Sequence, residues 1–335
     1  MSNAYDLLRS SARDLIAATG IAPAASIQLA EPKQRELADL AFAVFPIAKE
    51  LGQPAPDVAS RIVDAINTTG TLFRSVEAAG GFVNFKVDTG ALASQIYADI
   101  QAAPDAFGHD MSLGAGQTII VEYSSPNIAK KLHVGSLRTT VIGHALYKIH
   151  QALGYTVIGD NHLGDWGTQF GYLLAAIEDS PTPPWEDAEP VAAMMRMYAD
   201  YYQASEEDPE KKTRARAWFL KLEKGDTWAR EIWQKLIDIS LAEFDIIYKR
   251  LGIKFDTALG ESWFEPMLGP LVEDAIAKGV ATVEESGAVS VHFDDKYPSC
   301  LLRKTDGATL YQTRDAATCI HRWNTYTPTR NIYVV

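Results

Sequence analysis

Between positions 130 and 136 the chain sets Lys130, Lys131, His133, Gly135 and Ser136. Two ammonium groups, an imidazole, a glycine and a hydroxyl gathered at the head of a helix suit an anion such as a triphosphate. Oriented backbone N–H groups favour negative charge there, and the nearby cations add to them. The glycine leaves room for a flat base to lie against the backbone. A histidine by itself is more often a packing group, and what selects His133 is its position between a buried strand and a helix start. Upstream, Thr118-Ile-Ile-Val-Glu-Tyr123 is a run of β-branched and apolar residues that reads as that strand. It breaks at Ser124-Ser-Pro-Asn127. A helix follows in which Leu137, Val141, Ala145 and Ile149 recur at every fourth position. Gly154 ends that helix and Tyr155-Thr-Val-Ile-Gly159 begins a second strand. Strand, polar turn, helix and strand make a βαβ unit, whose turn delivers a ligand to a helix N-terminus.

The rest of the chain must position this turn. Its 335 residues are enough for one large domain or two ordinary ones, and 47% hydrophobic with 22% charged residues supports a sizeable core. A net charge of −12 argues against nonspecific nucleic-acid binding but leaves room for a local basic groove. Cys300 and Cys319 are the two cysteines, with no Cys-x-x-Cys or Cys/His cluster. A disulfide framework or structural metal is therefore not expected, and a reducing cytoplasm fits. No stretch is apolar and long enough to span a bilayer, so no membrane is expected.

Taken in order, Leu7, Leu8, Ala12, Leu15 and Ile16 predict an amphipathic helix. The spacing of Leu37, Leu40, Ala41, Val44, Phe45 and Ala48 predicts another over 36–51, ended by Gly52 and Pro54. A third is expected from Asp57 as N-cap through Ile66. Gly80 to Val87 alternates as a strand with Phe82 and Asn84 on one face, and Asp88 to Ile100 is helical. The glycines and proline of 102–117 have linker composition, which places a domain boundary near residue 112. Beyond Asn161-His-Leu-Gly-Asp-Trp-Gly-Thr-Gln-Phe-Gly171 a helix runs through Ile177. A nearly continuous helical pattern covers 188–251, with Asp226 as a cap. Glu206 to Arg214 mixes both charge signs, as a solvated helix face does. Short strands are expected at 253–256, 280–283 and 289–293, then Thr309-Leu-Tyr311, a helix over 314–326, and an apolar Asn331-Ile-Tyr-Val-Val335 that reads as an interior parallel strand.

Glu122 to His133, with Gly164-Asp-Trp-Gly-Thr-Gln169, resembles the catalytic core of the arginyl-tRNA synthetases, a class I aminoacyl-tRNA synthetase family. Ala79-Gly-Gly-Phe-Val-Asn-Phe85 is similar to the end of that family's N-terminal additional domain. Arg216 to Leu222 and Asp238 to Phe244 resemble its helical insertion, and Arg303 to Gly307 with Leu310 to Asp315 the approach to its second half. The resemblance runs through the chain in family order. It implies an α/β fold: a Rossmann-like parallel-sheet catalytic domain over 113–335 with a largely helical insertion at about 180–300, after a small α+β domain over 1–112 that contacts the tRNA elbow. It implies ATP-dependent activation of L-arginine and its attachment to tRNA(Arg), with Mg²⁺ accompanying ATP, in a cytoplasmic monomer.

By the same resemblance, His133, Gly135 and Ser136 occupy the His-x-Gly-His motif that holds ATP, and Lys130 matches a lysine that compensates for one missing from the second ATP motif. Thr168 and Gln169 lie on the nucleotide side. Tyr311 and Asp315 grip the substrate guanidinium, a fork that asks for paired acceptors. Glu122 adds an acidic contact, Ser125 and Asn127 surround the α-ammonium, and Phe82 and Asn84 meet tRNA through stacking and base-edge hydrogen bonds. Three departures stand out, the last the largest. Ser136 replaces the second histidine, and losing one such donor costs roughly 10²–10³-fold in rate, about 3–4 kcal/mol. Lys131 and Leu132 replace a proline and a phenylalanine, a milder change. The second ATP loop, a glutamine after the last strand and the anticodon-binding domain are also missing, so the chain is expected to be a fragment inactive in aminoacylation alone. Two other readings remain: a nucleotidylyltransferase of the same fold, and a noncatalytic tRNA-binding relative with a decayed site.

Overall fold

The computed structural model describes residues 4–32, 36–294 and 296–335. The chain divides into two units, 1–110 and 111–335, each with its own apolar core.

In the first unit α1 (Ala4–Ala18) buries Leu8, Ala12 and Ile16, one helical stripe. The strands are β1 (Leu29–Ala30), β2 (Leu40–Ala43), β3 (Phe73–Ala79) and β4 (Phe82–Val87), in the antiparallel order β1-β2-β4-β3. Helices α2 (Phe45–Leu51), α3 (Ala55–Ala65) and α4 (Thr89–Ala102) accompany them, and Asp88 caps α4 by accepting from the N–H groups of Gly90 and Ala91. Two expectations change here. The helix foreseen over 36–51 is a strand followed by a short helix. Leu40 to Ala43 pairs with Phe85 to Phe82 along the middle of the sheet, and that pairing outweighs a spacing that also fits a helix. The helix expected to begin after Asp57 starts at Ala55, after Pro54, with Asp57 in its first turn.

The second unit is built on β5 (Thr118–Glu122), α5 (Val134–Ala152) and β6 (Thr156–Asp160). After them come α6 (Thr168–Asp179), α7 (Pro190–Glu207), α8 (Pro209–Glu223), α9 (Thr227–Leu251) and α10 (Glu261–Ala277). A small antiparallel sheet follows, β7 (Thr282–Val283), β8 (Val289–Phe293) and β9 (Tyr297–Arg303), and then α11 (Tyr311–Tyr326) and β10 (Arg330–Tyr333). The parallel sheet has the order β10-β5-β6. Among the described residues β10 is therefore an edge, and the interior strand is β5. The segment 253–256 forms no strand; Thr257 makes an isolated bridge to Asp160 instead. Tyr311 ends no strand either, and stands as the first residue of α11.

The crossover helix α5 also turns differently from its apolar repeat. Val141 and Ile149 are about half exposed, at 51% and 53%. Thr140 and Gly143 form the buried face, and Leu146 and Tyr147 pack against the core beside them. The cause is close approach: a β-carbon on Gly143 would stand 2.0 Å from Cβ of Tyr123, so glycine lets the helix lie on the end of β5. Helices α6, α8 and α9 supply most of the remaining core around Trp166, Phe170, Leu222 and Leu236. Arg214, inside the charged stretch that reads as a solvated face, joins Glu178 and Asp179 of α6 in an ion-pair set. Among the described residues no helix is long and apolar enough to cross a membrane.

Candidate active site

At the carboxyl end of β5 the chain turns through Ser124 to Ala129 in a conformation that L-residues seldom adopt. Ser124, Ser125 and Ala129 have φ of 73°, 46° and 59°. Such backbone persists only where surrounding contacts over-determine it. Here they are plain. Thr140 Oγ1 donates to Ser124 Oγ at 2.8 Å, and Ser124 Oγ lies 2.7 Å from the Tyr248 hydroxyl. The Ser125 N–H donates to Asn161 Oδ1 at 3.1 Å, and the Ala129 N–H to Ser240 Oγ at 3.0 Å. Gly164 lies against Asn127, and its N–H and C=O bond to Pro126 and Ile128. Beside it the Asp165 carboxylate is buried and accepts from the N–H and hydroxyl of Ser262, which anchors the start of α10. Thr140, Asn161, Ser240 and Tyr248 thus hold the turn, and no local signal in the sequence marked them.

The turn and the first turn of α5 enclose a cleft of 310 Å³ lined by Ser124, Ser125, Pro126, Asn127, Lys130, Lys131, His133, Gly135, Ser136, Arg138 and Thr139. Its ionisable groups are all basic, as an anion site requires. His133 is the N-cap of α5: its Nδ1 accepts from the N–H groups of Gly135 at 3.0 Å and Ser136 at 3.4 Å. Because Nδ1 accepts, the neutral ring carries its proton on Nε2, which is left to donate elsewhere. The space over Gly135 is taken by this imidazole, since a β-carbon there would meet His133 Cε1 at 2.8 Å. The room expected for a base is room for the histidine ring. Lys131 is engaged by Glu189 at 2.9 Å.

Other candidates fall outside this cleft. Thr168 and Gln169 open α6, where Gln169 Nε2 donates to the Trp166 carbonyl at 3.3 Å. Gln169 lines a separate apolar cavity of 260 Å³ that it shares with Lys130, Ile128 and Leu173. Glu122 ends β5, and its carboxylate is bound by Arg322 of α11. Tyr311 and Asp315 lie one turn apart on the same face of α11, both exposed. Partial burial pushes the Asp315 carboxyl above the ordinary carboxylate range, opposed by His162, Arg322 and Arg314. Phe82 and Asn84 belong to the first unit. There Phe82 is 40% exposed and meets Phe45 edge to face with centroids 5.3 Å apart, while Val83, Phe85 and Val87 of the opposite face are buried. Among the described residues no group of three or more His, Cys, Asp or Glu is placed to hold a metal ion.

With a parallel sheet whose first crossover helix begins at a His-x-Gly turn and a Gly-Asp-Trp-Gly loop packed beside it, the second unit is similar to the class I tRNA synthetases. A family model described as "tRNA synthetases class I (R), catalytic domain" matches residues 104–335, and one described as "Arginyl tRNA synthetase N terminal domain" matches residues 6–87. The chain belongs to the arginyl-tRNA synthetase family. Its relatives include the arginine–tRNA ligases of Chloroflexus aggregans, 43% identical over 96% of this chain and 56% of the relative, and of Clostridium botulinum, 40% identical over 91% and 54%. The chain therefore spans about half the length of the curated relatives it matches. Arginyl-tRNA synthetase structures from Plasmodium falciparum (TM-score 0.63, 23% identity, 98% of this chain and 57% of that one) and Thermus thermophilus (TM-score 0.60, 20% identity, 95% and 53%) share the fold.

Proposed function

We propose that this chain carries the arginine-activating portion of an arginine–tRNA ligase: the arginine carboxylate attacks the α-phosphorus of ATP, an O–P bond forms, and the bond to the leaving pyrophosphate breaks. The arginyl group then passes to a terminal ribose hydroxyl of tRNA(Arg): an ester bond forms, the anhydride bond to the phosphate breaks, and AMP leaves. The observation that supports this most is the wholly basic cleft at the His133 cap, set at the end of a parallel strand whose last residue is acidic Glu122. This reaction needs positioning and charge stabilisation, with no covalent help from the protein. The Nε2–H of His133 donates to the phosphates, and Lys130 adds positive charge beside them. Thr168 and Gln169 serve the nucleotide side. Tyr311 and Asp315 hold the guanidinium, with Glu122, Ser125 and Asn127 around the rest of the amino acid. The cleft lining contains no carboxylate, so a Mg²⁺ ion would come as part of the triphosphate substrate, whose charge it would neutralise. Phe82 and Asn84 meet the tRNA, and the enzyme works as a monomer in the cytoplasm.

Arginine-dependent ATP–pyrophosphate exchange by the full-length gene product, with and without tRNA, tests the reading. Exchange with arginine and with no other amino acid is the expected result. Exchange that ignores arginine points to another nucleotidyl transfer, and tRNA binding without exchange points to a noncatalytic relative. His133→Asn sharpens the assignment of the histidine. Asparagine also caps helices well, so the variant stays as stable as the parent, yet kcat falls by about 10²–10³-fold because the Nε2 donor is gone.

A further inference from the structure

Among the described residues Arg322 is the largest fully buried side chain, 2% exposed, and none of the roles above uses it. It projects from α11 on the face that also carries Asp315 and Tyr311, seven and eleven positions earlier in the helix. The row it covers is set by strand register. Tyr333 of β10 pairs with Glu122 of β5, and Glu122 with Asp160 of β6, so the three side chains emerge on one face at the carboxyl edge of the parallel sheet. The guanidinium lies over all three. Nη2 donates to Glu122 Oε2 and to Asp160 Oδ2, both at 2.5 Å, Nε reaches Asp160 Oδ2 at 3.2 Å, and Cζ stands 5.3 Å from the Tyr333 ring centroid. Asp160 has its other oxygen engaged by Thr257 at 2.5 Å. Glu122 does not. Its Oε1 has the Ser125 hydroxyl at a long 3.5 Å, and Ser125 lines the cleft.

We propose that Arg322 is a positioning residue for arginine recognition: by occupying Oε2 of Glu122 it leaves that carboxylate one oxygen, on the Ser125 side, for the incoming substrate. A carboxylate with both oxygens free would accept a guanidinium bidentately, fork to fork. With one oxygen taken by an internal guanidinium, Glu122 accepts from a single N–H. The two-pronged contact is then left to Asp315, and the substrate side chain has one orientation in which both acids are satisfied. Arg322 also compensates two adjacent carboxylates that would repel each other at the sheet edge, which leaves the field around Asp315 less negative than three free acids would make it. The inference rests on the arginine–tRNA ligase reading above.

The test is steady-state ATP–pyrophosphate exchange on the full-length protein with Arg322→Lys, accompanied by thermal unfolding. Lysine keeps the charge but cannot bridge two carboxylates in a fixed plane. The expected result is a KM for arginine raised about tenfold or more, a KM for ATP within about twofold of the parent, and a folded protein. A second variant, Arg322→Gln with Asp160→Asn, leaves the net charge unchanged and frees Glu122 Oε2; it too raises the arginine KM selectively. It also narrows the preference for arginine over canavanine and homoarginine, because a bidentate Glu122 admits other side-chain positions. If both variants lose stability while their arginine and ATP constants stay together, Arg322 is only a clamp between α11 and the sheet, and the inference is overturned. A parent without arginine-dependent exchange overturns the functional reading and this inference with it; a competent parent with unselective variants overturns this inference alone.

Discussion

At the scale of single residues, the most consequential one is Ser136. On the proposed reading it stands where the family's ATP motif has a second histidine, and its N–H is spent on the His133 cap. Restoring the imidazole by Ser136→His is expected to raise arginine-dependent exchange of the full-length enzyme by about 10²–10³-fold, the scale of one oxyanion-type donor. An unchanged rate would mean that the serine site is already complete. How much of the site was legible depended on sequence distance. Lys130, His133 and Gly135 could be picked out because they crowd one turn beside a strand. Asn161, Ser240 and Tyr248, which hold that turn in its unusual backbone conformation, come from positions 36 to 124 residues away, through contacts that only tertiary structure creates. Tyr311 and Asp315 were visible through the family resemblance, but their place one turn apart on α11 was not, because the helix was expected to begin only at 314.

Elements were legible where their local pattern agreed with their packing. The unit of β5, α5 and β6 has a buried apolar strand on each side, and its order could be read directly. The face of α5 could not, because Gly143 and Thr140 are small and carry little hydrophobic signal, while the larger Val141 and Ile149 lie outside. Gly143→Ala tests the close approach: the added methyl would collide with Tyr123, and overpacking of this kind costs about 1–3 kcal/mol, seen as a lower urea midpoint with an unchanged slope. Helix α10 escaped the sequence pattern because Pro266 and Pro270 lie inside it. Its first residue, Glu261, offers a pH test. Burial pushes this carboxyl up to about 7 against 4.5 ordinarily, opposed by Arg314 and assisted by Asp165, Asp315 and Glu265. A carboxyl that holds its proton more tightly when folded favours the folded state below its unfolded pKa. That contribution is lost as pH rises through its folded value, here between about pH 4.5 and 7. Replacement by Gln is expected to flatten the fall in stability over that window, measured by urea denaturation at a series of pH values; an identical pH profile would rule Glu261 out as its source.

Over the whole molecule, the proposed contacts divide between the first unit and the second. Phe82 and Asn84 sit on the exposed face of a sheet in the first unit, whereas every proposed arginine and ATP contact belongs to the second. Phe82→Ala in the full-length protein is therefore expected to raise the KM for tRNA several-fold, as loss of a base-stacking aromatic worth about 1–3 kcal/mol does, and to leave tRNA-independent kinetics unaltered. Equal losses in both would contradict that division. The separate cores have an optical consequence as well. All seven tryptophans, from Trp166 to Trp323, belong to the second unit. Indole emission thus follows the synthetase fold and is blind to the N-terminal sheet, whereas far-ultraviolet dichroism sums over both. Any gap between the two denaturation curves is a direct reading of how independently the halves melt, and a transition temperature taken from indole emission alone describes only the second unit.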